Sequence, residues 1–385
     1  MSNVDFNRVV DVVVNLNDNF PSVANFSIPL ILTADAGGET AIDTDLVKAF
    51  SSIEDLEAYG FTAASDVYKT VVAMLGTSDR PRTFKVGYFD GDLDSSLISI
   101  LAEDSLFYVV VTAALQVPGD GAALTQVNDI LTANRKVLIF DTNDVALRDD
   151  ATDTTGLGAQ LRTISNSRLF GWYVDAVTAP EERQQYAAKV AAYISAVNYN
   201  DVDSHYTMKF KELDGAKPAN LSNLTAQNIT GFLPATGLNA AAGGFLNTYV
   251  CTAGQNYTVE GVATDGTFID TITFNDWLVA TMQQNVLAVY LNNKVVPYDE
   301  TGINLLIGAV VQTLAQGLAS GALTDRRLDS NGTDYLPAYE ISVQDLDSVA
   351  PSLVAQRIAP EIQFCGRYAN GVHYGDVEGT LKLVS

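Results

Sequence analysis

Apolar and polar residues alternate from residue 6 to residue 16. Phe6, Arg8, Val10, Val12, Val14 and Leu16 fall on one side, and Asn7, Val9, Asp11, Val13 and Asn15 on the other. A two-residue period over this length predicts a strand with one mostly apolar face. The last residues repeat the pattern, Val377, Gly379, Leu381 and Leu383 alternating with Asp376, Glu378, Thr380 and Lys382. Both ends of the chain are therefore expected to be single amphipathic strands. Such a strand cannot satisfy its own backbone donors and acceptors, so it must join a sheet in its own subunit or in a neighbour.

Between these ends the period changes. A short apolar strand is expected over 28–33, followed by an acidic stretch, 34–66, in which Asp35, Glu39, Asp43, Asp45, Glu54, Asp55, Glu57 and Asp66 face Lys48 alone. Their spacing matches no calcium-binding loop, and a solvated acidic surface is the simpler reading. From 83 to 211, short apolar runs (84–89, 106–112, 136–141, 169–174 and 206–210) alternate with helical stretches (94–102, 122–133, 156–165 and 180–197). The alternation predicts a βα-type domain with a largely parallel sheet. The last helix is expected to open on Pro180, Glu181 and Glu182, which suit a first turn.

Residues 215–244, rich in Asn, Ala, Thr and Gly, read as an exposed connection. Strands broken by Gly254, Gly261 and Gly266 follow, then a helix expected to start near Asp276, a plausible N-cap. Trp277, Leu278, Met282, Val286, Val289 and Tyr290 recur at helical spacing and read as core. Pro297 closes the helix connection, and 302–318 should form a second amphipathic helix. The chain returns to strands at 339–343, 357–366 and 377–384, with Pro360 confining its segment to a strand edge or bulge.

Chemistry narrows the function classes. No GxGxxG follows the first βα strand, whose junction reads Asp90-Gly91-Asp92-Leu93-Asp94, three carboxylates that would repel a phosphate. Gly156 and Gly158 form a lone GxG without a Walker lysine and serine. The only histidines, His205 and His373, have no partner at a ligand spacing, and Cys251 and Cys365 form no Cys-x-x-Cys pair and read as buried thiols. No Gly-x-Ser-x-Gly elbow is present, and no pair of carboxylates stands out in so acidic a chain. No cofactor, metal or catalytic set is expected. With 22 Lys+Arg against 46 Asp+Glu in 385 residues the net charge is −24, which repels nucleic acid and anionic lipid. The first residues lack the pattern of a secretory signal, and no run reaches the roughly 18 apolar residues of a membrane span.

The stretch 243–321 joins a Gly-Gly-Phe opening, Tyr257-x-x-x-Gly261, Gly266-x-Phe-Ile-Asp270, the Asp276-Trp-Leu helix and the link Val296-Pro-Tyr-Asp-x-x-Gly-Ile303. Residues 357–383, RIAPEIQFCGRYANGVHYGDVEGTLKL, add an apolar strand, a Gly-Arg turn and a closing strand, and FSIPLILT (26–33) adds a weaker match. In this order the pieces resemble the contractile tail sheath proteins of long-tailed bacteriophages, the shorter sheath family. The resemblance implies a mixed α/β and α+β, multi-domain fold: a core domain built from N- and C-terminal segments, with an inserted βα domain facing outward. The corresponding boundaries are 1–82, 83–214, 215–244 and 245–385.

It further implies a structural subunit of the virion that polymerises helically around a tail tube in stacked hexameric rings. Contraction would be a rigid-body rearrangement, and the partners would be further copies, the tube protein, and baseplate and tail terminator proteins. Assembly is expected in the host cytoplasm, without direct nucleic-acid contact or membrane insertion. Phe6, Val10, Val12, Val14, Leu16, Val377, Gly379, Leu381 and Leu383 would be the strand arms exchanged between subunits. Residues 351–385, in which three basic and three acidic residues cancel, suit a surface pressed against other copies. Arg326 and Arg327 are candidates to face the tube, or else cap a helix C-terminus. Another virion tail or baseplate component, or an α/β-type enzyme, are the alternatives.

Overall fold

The computed structural model describes residues 26–35, 37, 42–113, 121–175, 185–234, 236–239, 243–327 and 335–375. The apolar runs of the first half form strands: β1 (Leu30–Thr33), β2 (Val47–Phe50), β3 (Phe84–Tyr88), β4 (Val109–Thr112), β5 (Val137–Thr142) and β6 (Leu169–Tyr173). A small ribbon, β7 (Phe232–Leu233) and β8 (Gly237–Leu238), precedes β9 (Asn247–Thr252) and β10 (Gln255–Val259). Apart from that ribbon they make one eight-stranded sheet in the order β10-β9-β6-β5-β4-β1-β3-β2. The six strands from β9 to β3 are parallel, and β10 and β2 run antiparallel at the two edges. Parallel strands need covered faces, which is why they read as mainly apolar runs.

Helices cover both faces. Leu30, Leu32, Val110, Leu138 and Phe140 point to one side, where α4 (Leu93–Glu103) and α5 (Gly121–Ala133) bury Leu97, Ile100, Leu124 and Leu131. Ile31, Val109, Val111, Val137 and Ile139 point to the other. That core is filled by α3 (Asp66–Leu75), α8 (Tyr186–Ala196) and α10 (Ile269–Asn292), whose Phe274, Trp277 and Met282 are buried. The short helices are α1 (Ile42–Asp45), α2 (Ile53–Tyr59), α6 (Val145–Asp149), α7 (Leu157–Leu161) and α9 (Asn223–Thr230). Beyond α10 come α11 (Glu300–Ala319), the pair β11 (Arg326–Arg327) and β12 (Tyr335–Leu336), and the pair β13 (Tyr339–Val343) and β14 (Ile362–Gly366), with α12 (Pro351–Ala355) between them.

One buried carboxylate joins α10 to the sheet. Asp276 accepts from Arg168 Nη1 and Nη2 at 2.7 and 2.9 Å, from Tyr108 Oη at 2.8 Å and from Arg135 Nη1 at 3.4 Å. Arg168, Arg135 and Tyr108 stand just before β6, β5 and β4, so three neighbouring strand starts converge on one helix position. Burial opposes the charge on Asp276, but Arg168 and then Arg135 outweigh it and hold the carboxyl below its usual range.

The mixed α/β class therefore stands, while several boundaries move. A separate inserted domain over 83–214 does not follow the sheet, because β1 and β2 from the first segment and β9 and β10 from the last pair into it. Asp276 is not an N-cap: α10 begins at Ile269, directly after the tight turn in which Asp265 accepts from the Thr267 amide. Residues 206–210 are not a strand. Phe210 takes a left-handed φ of 66°, yet its amide donates to the Thr258 carbonyl and so covers the outer edge of β10. Within 215–244, α9 forms on the Ser222 cap and buries Ile229, so this connection contributes core. Residues 180–182 lie outside the described residues.

Replacing Asp276 by Asn would leave two buried guanidinium groups without a counter-charge. Asp276→Asn is expected to lower the unfolding free energy by about 3–5 kcal/mol, measured by urea denaturation. Asp276 also contributes stability that is complete above the ordinary aspartate pKa and is lost as pH falls through its depressed folded value, so the variant should show a shallower acid limb.

Candidate assembly interface

The link between α10 and α11 shows why its residue pattern is specific. Asp299 caps α11, accepting from the Gly302 amide at 2.9 Å. A Cβ on Gly302 would lie 1.9 Å from the Pro297 carbonyl oxygen, so the turn admits only glycine there. Ile303, Leu306, Val310 and Leu314 of α11 are buried, while Leu305, Val311 and Leu318 are exposed on its outer side. By length and composition α11 is apolar enough to cross a membrane; here its inner side packs against α10. The described part of α10 beyond Gln283 rises out of the core, leaving Leu291 75% exposed.

Beside the hairpin lies the β13–β14 ribbon. Its register pairs Ile341 with Phe364 and Val343 with Ile362 on one face, and Glu340 with Cys365 and Ser342 with Gln363 on the other. The first face packs on the main core and the second meets solvent. Among the described residues each of these two strands pairs on one side only. An amphipathic ribbon with two open edges is a template for further strands. Apolar side chains continue around it, with Ile358 46% and Val372 85% exposed.

Alternation also corrects the cysteines. Cys365 follows inward-facing Phe364 and must point out, and Cys251 lies where β9 and β10 extend past the end of β6; both thiols are exposed. The strand predicted from 357 starts only at Ile362, because Arg357 closes α12 with a left-handed φ of 61°. Arg326 is exposed on β11 and caps no helix, since α11 ends seven residues earlier at Ala319, on its Ser320 cap. The arm residues Phe6, Val10, Val12, Val14, Leu16, Val377, Gly379, Leu381 and Leu383 lie outside the described residues.

The sites of α/β chemistry are otherwise engaged. At Gly156 and Gly158, the backbone amides that would cradle a phosphate donate instead to Asp153 at 2.6 Å and Asp144 at 2.7 Å. A Cβ on Gly156 would come within 2.6 Å of Asp144. The crevice at the carboxyl ends of β1, β3 and β4, where ligands settle in such sheets, is a 420 Å³ hollow lined by Asp35, Asp66 and Lys69 among apolar groups. The histidines brace the C-terminal segment. His205 Nε2 is 3.9 Å from Asp270 Oδ2, which accepts from Tyr368 Oη at 2.9 Å, and His373 Nε2 hydrogen-bonds Thr207 Oγ1 at 2.6 Å.

Residues 269–340 match the family model described as "E217 tail sheath protein gp31-like, C-terminal domain". Over these residues the chain is similar to a tail sheath C-terminal domain. The matched stretch comprises α10, α11 and the connection to β13, the elements that form the exposed hairpin. Two solved structures share the fold of this chain. One, from the six-fold symmetrised baseplate of the anti-feeding prophage, is 13% identical with a TM-score of 0.61, over 97% of this chain and 99% of that one. The other, from the sheath complex of the extracellular contractile injection system PVC in its contracted state, is 9% identical with a TM-score of 0.62, over 96% and 97%. Identities of this size establish a shared fold. Among curated proteins no sequence matches.

The two histidines give the fold an acid limb. Burial lowers the pKa of His205, with a hydrogen bond at Ala369 opposing, and burial followed by Lys209 lowers that of His373. Each is neutral in the fold while its unfolded counterpart protonates near pH 6.5, so their contribution is complete above that pH and is lost as pH falls through the depressed values. Burial raises Asp270, which acts in the opposite sense just above the ordinary aspartate pKa. Melting temperature should fall between pH 7 and pH 5, and the fall should be shallower in His205→Gln/His373→Gln. An unchanged slope in that variant counts against this account.

Proposed function

We propose that this chain is the subunit of a contractile tail sheath, polymerising helically around a tail tube and shortening by rigid-body rearrangement to drive the tube through a host envelope. The observation that carries the reading is the tail sheath C-terminal domain on the α10–α11 hairpin, set in a fold shared nearly end to end with a chain of a contracted sheath. Identical subunits whose contacts do not close on themselves generate helical arrays, and two discrete packings of such contacts provide an extended and a contracted state.

Within this reading the subunits stack as hexameric rings in the virion tail after assembly in the host cytoplasm. Their other partners are the tube protein and the baseplate and terminator proteins, and the role is structural rather than enzymatic. The terminal strands 6–16 and 377–384 add to the open edges of β13 and β14 in neighbouring copies. The amphipathic register of that ribbon supports this, because an added strand with a two-residue period continues both its apolar and its polar face. Arg326 and Arg327 turn toward the tube; the exposure of Arg326 agrees with that orientation. One observation favours a second reading: a structural match comes from a baseplate, whose subunits would form closed rings.

Negative-stain electron microscopy of the concentrated protein separates the two. Long, striated, hollow tubes are expected, and closed rings alone would select the baseplate reading. Deleting residues 1–16 or 376–385 should abolish tubes while leaving a folded subunit. Cys365, exposed on β14 in the dispersed subunit, should label rapidly there and slowly in tubes, whereas equal labelling in both would remove β14 from the contact.

A further inference from the structure

Beyond β14, residues 367–375 run as a strap pinned at two places. At the first, Tyr368 bridges to Leu323 and donates to Asp270 at 2.9 Å, and the Ala369 amide donates to the Ala322 carbonyl at 2.8 Å. At the second, His373 Nε2 hydrogen-bonds Thr207 Oγ1 at 2.6 Å, and its ring stands edge-on to Phe268 at 4.9 Å. Between the pins lie Asn370, Gly371 and Val372, all exposed. Among the described residues, no hydrogen bond engages any of these three, through main chain or side chain.

An asparagine followed by glycine carries its own nucleophile. The glycine's main-chain nitrogen adds to the side-chain Cγ, and as that C–N bond forms the Cγ–Nδ2 bond breaks. The proton of the main-chain N–H leaves with the side-chain nitrogen as ammonia. Water then opens the cyclic imide at either carbonyl, giving aspartate, or isoaspartate in which the main chain runs through the former side chain. Ring closure needs a nitrogen unshielded by a Cβ, a side-chain amide free of hydrogen bonds and a main chain free to rotate. Asn370-Gly371 meets all three. A Cβ on Gly371 would stand 3.3 Å from His373 Nε2, so the packing of the strap itself favours glycine at the nucleophile. The Asp-Gly pairs, which can close the same ring, are held. Asp90 accepts from the Asp92 amide and the Ser96 hydroxyl, and Asp214 accepts from the Ser78 amide. Asp265 accepts from the Ser167 and Thr267 amides, while the Gly266 amide donates to the Ala263 carbonyl. The chain's other Asn-Gly pair, Asn331-Gly332, lies outside the described residues.

We infer that Asn370 is a site of spontaneous modification, converting to aspartate and isoaspartate through a cyclic imide with Gly371. Either product adds a negative charge to a stretch, 351–385, whose three basic and three acidic residues otherwise cancel. The isoaspartate also adds a main-chain carbon between the two pins. Because Tyr368 is held by both Asp270 and Leu323, the added length falls on the single side-chain bond of His373 to Thr207. Conversion to isoaspartate therefore undocks the far end of the strap. The reaction needs only water, and it stands apart from the sheath reading.

Mass spectrometry of the full chain, aged in neutral buffer and then digested, tests the modification. The peptide carrying Asn370 should gain the mass of an amide-to-carboxyl exchange and separate into isoaspartate and aspartate species. Its rate should lie within about tenfold of that in urea, as a segment with almost no local opening free energy requires. Asn370→Gln should leave its peptide unchanged over the same time; the position is exposed, so the variant should fold. An amide retained in the folded protein while the urea sample converts overturns the inference, and so does aspartate alone, which marks direct hydrolysis without the imide. Undocking is read by NMR at His373, whose pKa is lowered by burial and then by Lys209. In aged protein its titration should move toward the ordinary histidine value, and in aged Asn370→Gln it should stay. An unmoved titration after conversion overturns the undocking.

Discussion

The buried carboxylate of Asp276 is the constraint on which the rest of the arrangement depends. A helix packed on a sheet by apolar side chains alone can slide or rotate by one residue at modest cost, since one aliphatic contact resembles the next. A carboxylate held by a two-point guanidinium contact from Arg168, a second guanidinium from Arg135 and the phenol of Tyr108 cannot. Displacing α10 by one turn would strand two buried cations among the side chains that precede β5 and β6. Apolar residues in the same volume would stabilise as well or better. What the cluster adds is a single allowed position of the hairpin on the sheet.

That fixed position would matter for the proposed sheath subunit, whose work is done between copies. If contraction is a rearrangement of rigid bodies, the joints inside each subunit must be stiffer than the contacts that break and re-form between subunits. The division of features follows this logic. Interlocked polar groups and large buried aromatics, Trp172, Tyr186 and Tyr249 among them, lie at the joints within the chain. Open strand edges, the outward side of α11 and the apolar groups around β14 lie at the periphery. Gly302 belongs to the first set: its close approach to Pro297 holds the two long helices as one unit.

Much of this was legible in the residues. Short, mainly apolar runs identified the parallel strands from β3 to β6, and the Val296-Pro-Tyr-Asp-x-x-Gly link pointed to the hairpin. Asp276 was misread because a carboxylate ahead of an apolar helical stripe is the usual mark of an N-cap; only the third dimension brings Arg168, 108 positions away, onto it. The sheet's recruitment of β1, β9 and β10 was hidden for the same reason, since strand pairing across long separations leaves no local periodicity. Cys365 is the instructive miss. The alternation of Ile362, Gln363, Phe364 and Cys365 already placed the thiol outward, and the general rule that free cysteines are buried displaced that more specific signal.

Electrostatics supplies the remaining step. Lys85, Arg135, Lys136, Arg168, Lys189 and Lys209 are buried and face inward partners: Asp104 for Lys85, Asp276 for the two arginines, Glu260 for Lys209, and main-chain carbonyls for Lys136 and Lys189. Six of the 22 lysines and arginines are thus consumed inside the fold, and the solvent-facing surface carries essentially the whole negative charge. Copies of such a surface repel one another, so attraction in an array has to come from groups insensitive to that field: main-chain pairing at strand edges and contact between apolar patches. Such contacts are short-ranged and directional, whereas the repulsion acts over about a Debye length. An array that balances the two holds its subunits at discrete packings, as a two-state machine requires, and a uniformly attractive surface would let them aggregate in any orientation.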